Sequence, residues 1–362
     1  MQINSILQSH FGITDAAVTT LEGYDSTNYK IKSKKRIYVL KQNSYSEETL
    51  ALLQAENDLF RQLDTLSNYE FPTAIPSLNE ELIVIEEDQI FRLLSFIEGE
   101  FLGNITHTPP LLYSFGVFLA KMDNQIHKTY HPSIVGKETQ WDLKNFQANY
   151  KYLKCIKNPK NRSLVDYFFL QFEEHVSPLA YDLRKGVIHN DGNDWNVLTK
   201  NGKISGIIDF GDMCHTWIIS EVAIAITYVM MGKENPLEIA SELIKGYHSI
   251  FPIEKKELDI LYYLIAARLC TSVCNSAFTK TLKPDSEYIT ISEKPAWELL
   301  HKWISINPIK AKDSFWEAAG FKSSIKKTSA EQQQRRKANF SNALSLSYSN
   351  PIQMQQSAFQ YM

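Results

Sequence analysis

Val187-Ile-His-Asn-Asp-Gly-Asn-Asp-Trp-Asn-Val-Leu-Thr199, followed by Ile207-Ile-Asp-Phe-Gly-Asp212, decides the reading of this chain. The stretch sets two carboxylates and a carboxamide where phosphoryl transfer from ATP needs them. Asp191 can accept the proton of an attacking hydroxyl. Asn196, five residues on, and Asp209 can offer oxygen ligands to Mg2+. That hard cation prefers one or two carboxylate or amide oxygens together with substrate phosphates. A base in an H-x-D-x-x-x-x-N loop, its Asn and a D-F-G Asp are recurring parts of such machinery. His189 stands too close to Asp191 for a separate chemical step and is expected to brace the loop.

The residues between the two motifs predict a hairpin. Val197-Leu198-Thr199 reads as a strand, Asn201-Gly202 as a tight type I′ turn, and Ile204 to Ile208 as the returning strand. Asn196 and Asp209 would then face one site from the open ends of paired strands. Either motif alone is a weak signal. Together, at this separation and joined by a hairpin pattern, they are a strong one.

Composition narrows the classes. The chain has 362 residues, 44% hydrophobic and 22% charged, with a net charge of −3. This is the balance of a soluble globular protein, without the basic footprint of a nucleic-acid binder. The first residues lack a basic, then apolar, leader, and no apolar run approaches the roughly 20 residues of a membrane span. A cytoplasmic protein with no membrane partner is expected. Four cysteines, Cys155, Cys214, Cys270 and Cys274, are too few and too scattered for a disulfide framework; Cys270 and Cys274 are read as small buried apolar residues, and Cys214 with His215 could line a substrate pocket.

The region before about residue 100 reads as strands with one helix. Ile37 to Gln42 is a half-buried strand carrying Lys41, and Glu47 to Leu66 a helix with an apolar stripe of Leu52, Leu59, Phe60 and Leu63. Glu56 falls within that stripe, where an unpaired carboxylate is costly, so Lys41 is its expected partner and the pair is expected to hold nucleotide phosphates. Upstream, Leu21 to Tyr29 lies where a phosphate-covering loop belongs. It has one glycine, but Ser26, Thr27 and Asn28 could donate to phosphate. Leu82 to Glu86 and Gln89 to Phe96 read as a hairpin. The Phe96-Ile-Glu-Gly-Glu100 segment suits a hinge, with backbone groups at Ile97 and Glu98 available to adenine. Thr108-Pro109-Pro110 opens a helix running to about Lys128. Further helices are expected over Leu164–Leu183, Ser220–Met231, Leu237–Ile250 and Lys255–Thr279. Asp212 is expected to face the acceptor and attract a cationic amine, with Trp195 and His215 shaping the pocket.

From about residue 15 to 305 the chain resembles the aminoglycoside phosphotransferase and choline kinase superfamily, and within it the hydroxylysine-kinase-like branch. The segments carrying the likeness are His189–Leu198, Gly206–Met213, Ser220–Ala225 and Leu264–Leu269. The resemblance implies an α+β, protein-kinase-like bilobal fold: a small β-rich N-lobe over residues 1–98 and a larger helical C-lobe over 99–320. It implies ATP in the cleft, Asp191 as the base and Asn196 and Asp209 on magnesium. It also implies a small-molecule acceptor, an amino alcohol or hydroxylated amino acid. Asn190 stands where many relatives have Gly. Two rivals are a protein kinase, for which no activation segment fits between Asp209 and the helix near Ile219, and a catalytically inert nucleotide-binding scaffold. Residues 321–362 read as polar linker and then strand material from Leu344 to Gln353 and Phe359 to Met362. That tail resembles the beginning of class III pyridoxal-phosphate-dependent aminotransferases and phospholyases, implying such an enzyme as a fused or associated partner.

Overall fold

The computed structural model describes residues 3–21, 26–34, 36–282 and 288–322. The chain divides into two compact units, Met1–Phe321 and Lys322–Met362. The second lies, past Lys322, outside the described residues, and the reading of residues 321–362 as linker and aminotransferase-like beginning falls there.

The first unit opens with helix α1 (Ile3–Phe11), followed by strands β1 (Ala17–Leu21), β2 (Thr27–Lys32) and β3 (Ile37–Ser44). Helix α2 (Glu47–Leu63) is capped at its start by Ser46, whose hydroxyl accepts the Thr49 N–H, satisfying one of the donors a helix start leaves open. Strands β4 (Ala74–Ile75), β5 (Val84–Glu86) and β6 (Gln89–Ser95) complete an antiparallel sheet ordered β1-β2-β3-β6-β4, with β5 also along β6. Ile6 and Leu7 of α1 close this sheet from one side, in a small core with Ile31, Leu40, Val84, Phe91 and Leu93. No sequence pattern had marked α1.

A short strand, β7 (Glu100–Phe101), leads into the helical part: α3 (Pro109–Ile126), the single turn α4 (Pro132–Val135), a 3-10 stretch over Leu143–Cys155, and α5 (Pro159–His175). Strands β8 (Lys185–Ile188), β9 (Val197–Lys200), β10 (Lys203–Ile207) and β11 (Cys214–Trp217) follow, and then α6 (Ile219–Met230), α7 (Pro236–Ile250), α8 (Lys255–Leu282), α9 (Tyr288–Trp303) and α10 (Pro308–Ala318). A β-sheet region followed by a helical one is the α+β, kinase-like architecture the resemblance implied. The expected helix over Leu164–Leu183 starts earlier and ends earlier, because Asn158 caps it and Pro178 cannot continue it. By length and composition α8 could cross a membrane, but 83% of its apolar window is buried against its neighbours, as in a core helix.

Helices α3 and α7 pack backbone to backbone. A Cβ on Gly116 would stand 2.1 Å from the Leu243 carbonyl oxygen, and one on Gly246 2.0 Å from that of Tyr113. Only hydrogen in place of a side chain permits that approach. The buried Asp123 of α3 also accepts the Tyr247 hydroxyl of α7 at 2.5 Å, which ties the same seam by a polar bond.

Candidate active site

The hairpin forms as its residues dictate. Strands β9 and β10 pair antiparallel. Asn201 and Gly202 take φ of 51° and 71°, the left-handed values a type I′ turn requires and that Asn and Gly adopt most readily. At the open end the Ile208 N–H donates to the Asn196 carbonyl at 2.9 Å, which sets Asn196 and Asp209 side by side. Strand β11 pairs with β8, Cys214 opposite Ile188. The segment after Asp209 therefore folds straight back onto the strand leading into Asp191.

His189 is fully buried and bridges the two motifs. Its Nε2 lies 3.0 Å from the Ile208 carbonyl, and its Nδ1 accepts the Asp191 N–H at 3.2 Å. A carbonyl can only accept, so Nε2 carries the proton and the ring is neutral. Burial pushes its pKa down to about 4, against the pull of the Ile208 carbonyl. Asn190 has φ 65°, which explains why a glycine position tolerates Asn: its short side chain is among those that visit the left-handed region. Its N–H donates to Glu221 Oε2 at 2.9 Å, and its amide donates to the Asp212 carbonyl at 3.2 Å.

Both oxygens of Asp191 are engaged. Oδ2 accepts the Asn193 and Asn196 amides at 2.9 and 2.7 Å, while Oδ1 receives the Arg268 guanidinium at 2.8 Å. Burial raises the pKa of Asp191; Arg268 opposes the rise and the charge of Asp212 adds to it. Glu221, buried at the start of α6, is also raised by burial, against its bond from the Asn190 N–H and with Asp191 adding to the rise. Asp209 has φ 62°, and its Oδ1 receives Lys41 Nζ at 2.9 Å. Burial would raise its pKa, but the lysine outweighs burial and holds it below its usual value.

The expected Lys41–Glu56 pair is not made. Glu56 instead accepts Arg92 Nη2 at 2.7 Å, and Arg92 also donates to Asn57 Oδ1 at 3.0 Å and the Leu53 carbonyl at 3.3 Å. Lys41 and Arg92 are direct cross-strand partners on β3 and β6, so the helix carboxylate has two cations to choose from. The guanidinium fork takes three acceptors on one face of α2 at once, and the lysine is left to reach Asp209. We expect Arg92→Met to destabilise the fold by about 3–5 kcal/mol in urea denaturation, because it strands a buried carboxylate. A loss below about 1 kcal/mol would show that water already serves Glu56.

The remaining expected residues are distributed as follows. Ser26 Oγ donates to Asn28 Oδ1 at 3.0 Å, and Thr27 opens β2; residues 22–25 of the expected phosphate loop lie outside the described residues. Ile97 is buried and Glu98 exposed in the link between β6 and β7. Trp195 is half exposed and packs on β7 and the turn that follows it, 6.0 Å from the Phe101 ring and against Gly103. His215 lies on β11 opposite Val187, partly buried. Sequence reasoning missed Arg92, Asn193, Glu221 and Arg268 as polar partners of the site. Asn193 sat within the opening stretch without a signal of its own; Glu221 and Arg268 sat within quoted segments, where a charged residue amid an apolar helical run was the available signal.

The donor set fits magnesium. Asn196 spends its amide nitrogen on Asp191, so its carboxamide oxygen and the Asp209 carboxylate are the oxygen donors at this end of the hairpin, a pair of the kind a hard cation shared with phosphates takes. Among the described residues no group of three His, Cys, Asp or Glu could cage a metal by itself.

Residues 18–257 match the family model described as "Phosphotransferase enzyme family". The chain is similar to the hydroxylysine kinase of Mus musculus, 27% identical over 347 residues, covering 87% of this chain and 91% of that protein. It is similar also to the hydroxylysine kinase of Danio rerio, 29% identical over 326 residues, covering 82% and 91%. Among solved structures, an amicoumacin kinase in complex with AMP-PNP and Ca2+ superposes with a TM-score of 0.60, at 17% identity, over 81% of this chain and 91% of that one. At that identity the likeness concerns the fold.

Proposed function

This chain belongs to the phosphotransferase enzyme family, and we propose that the hydroxyl it phosphorylates is that of an amino alcohol or a hydroxylated amino acid of the hydroxylysine type. That it is a small-molecule kinase with an alcohol acceptor follows from its family and relatives. The observation carrying the finer reading is the convergence of Asp191, Asn196, Asp209 and Asp212 at one end of the β9–β10 hairpin.

In this reading Asp191 is the base. The acceptor oxygen bonds to the γ-phosphorus, its proton passes to Asp191, and the bond from the γ-phosphorus to the bridging oxygen breaks, releasing ADP. Asn196 and Asp209 would hold Mg2+, which when bound neutralises charge on the phosphate oxygens. Lys41 binds phosphate after leaving Asp209. Ser26 and Thr27 cover the phosphates, the backbone at Ile97 and Glu98 meets adenine, and Glu56 supports the nucleotide lobe through Arg92. His189 and Glu221 hold the loop. The N-lobe would span residues 1–98 and the C-lobe 99–320. A protein kinase is disfavoured: four residues separate Asp209 from β11, leaving no platform for a peptide.

The test is ATP-dependent phosphorylation across hydroxylysine, homoserine, choline, ethanolamine and aminoglycosides. We expect an ammonium-bearing alcohol to be the best acceptor; a neutral sugar as best acceptor would overturn the reading. Asp212, whose charge is felt at both Asp191 and Arg268, is proposed to attract the amine, beside His215. Asp212→Asn should raise KM for that acceptor about tenfold and leave KM for ATP unchanged, as loss of one charge-assisted contact implies. An unchanged acceptor KM would remove Asp212 from the pocket.

A further inference from the structure

Arg268 is a buried cation at the catalytic loop. It lies on α8, 2% exposed, with its guanidinium stacked on the rings of Trp141 and Tyr228 at 4.8 and 5.3 Å. Its Nη1 donates to the Trp141 carbonyl at 3.3 Å. Its Nη2 donates to the Tyr228 hydroxyl at 3.1 Å and to Asp191 Oδ1 at 2.8 Å. Its Nε, buried, finds no acceptor among the described residues. Both rings over it are partly exposed.

Two consequences follow. An N–H buried without an acceptor is costly, and Nε shares one edge of the planar fork with Nη2, the nitrogen that holds Asp191. That edge is the side-on docking face for a carboxylate. Meanwhile Asp191 spends three of its roughly four lone-pair sites, one on Arg268 through Oδ1 and two on the Asn193 and Asn196 amides through Oδ2, and the guanidinium lowers the basicity of the one that remains.

We propose that Arg268 is the receptor for a carboxylate on the acceptor, and that this carboxylate, by taking the Nε–Nη2 edge, draws the guanidinium off Asp191 and leaves Oδ1 a stronger acceptor for the proton of the attacking hydroxyl. The inference rests on the kinase reading above and narrows its acceptor to a hydroxylated amino acid. In the transfer itself the acceptor O–H bond breaks, its proton bonds to Asp191, the oxygen bonds to the γ-phosphorus, and ADP leaves with the bridging oxygen. Arg268 is a specificity-determining residue, because a decarboxylated acceptor has nothing to exchange for Asp191 and meets a base still damped by the guanidinium.

The test uses the full chain with ATP and Mg2+ on matched acceptor pairs: hydroxylysine against 1,5-diaminopentan-2-ol, and homoserine against 3-aminopropan-1-ol. For the pair that is turned over, the carboxylate-bearing member should be favoured by about 10–100-fold in kcat/KM, the range of a charge-assisted pair. Calorimetric binding without nucleotide should show the same preference. Arg268→Gln should lower turnover of the amino acid at least tenfold more than that of its decarboxylated partner. Arg268→Lys, which keeps the charge but not the fork, guards against a folding defect and should retain less than a tenth of the preference. Equal use of both members by the unmodified protein overturns the inference and leaves the kinase reading standing. So does an equal fall for both in Arg268→Gln, which would make Arg268 only a support for Asp191. Phosphorylation of a sugar with neither pair accepted overturns both.

Discussion

Asp191→Asn is expected to lower kcat by about 10²–10⁴-fold, the range for loss of a general base, with KM for ATP unchanged. The effect should fall on the rate because the proton moves only as the new bond forms. The substitution is nearly isosteric. Asn keeps an oxygen that can still accept Arg268 at the position now 2.8 Å from Nη2, so the buried guanidinium is not abandoned. It does present an amide nitrogen to the Asn193 and Asn196 amides that now donate to Oδ2, and one of those must turn. A modest loss of stability is therefore expected alongside the catalytic defect. Steady-state kinetics, with a melting curve on the same preparation, separates the two. Turnover within tenfold of the unmodified protein would dismiss Asp191 as the base.

Asp209→Ala is expected to erase the thermal stabilisation that ATP with Mg2+ confers, because it removes the only proposed carboxylate ligand and the residue that holds Lys41. The melting temperature of the free protein should fall as well. At φ 62° an alanine pays roughly 1–2 kcal/mol that Asp and Asn largely avoid. The decisive quantity is hence the ligand-induced shift and not the melting temperature itself. Asp209→Asn serves as the control, keeping the backbone preference and an oxygen but not the charge, and should retain a reduced shift. A full shift in Asp209→Ala would move the metal elsewhere.

The hairpin and its loops were legible because their chemistry is local. Asn201-Gly202 specifies its turn from two residues, and the separation of Asp191 from Asn196 is fixed by one loop. The ion pairs were not legible, because each basic residue meets its acid across a long stretch of chain: Arg92 reaches Glu56 over 36 residues and Arg268 reaches Asp191 over 77. Spacing correctly required a cation for Glu56 and could not choose between Lys41 and Arg92, since their opposition on β3 and β6 is a fact of register. Arg268 sits amid Leu264, Ile265, Ala266, Ala267 and Leu269, and its apolar company reads as core. It is core, and the site lies against it. Helix α1 is short and shows its purpose only once the sheet it covers exists.

The glycine crossing of α3 and α7 bears on how the molecule can move. Interfaces slide when side chains exchange one set of notches for another, and here the notch is the main chain itself. Gly116 and Gly246 leave no rotamer to turn and no methyl to shift, so displacement along the seam would drive a carbonyl oxygen into a neighbouring backbone. The Asp123–Tyr247 bond bolts the same joint. These two helices form a keel, a pair that can move only as one piece.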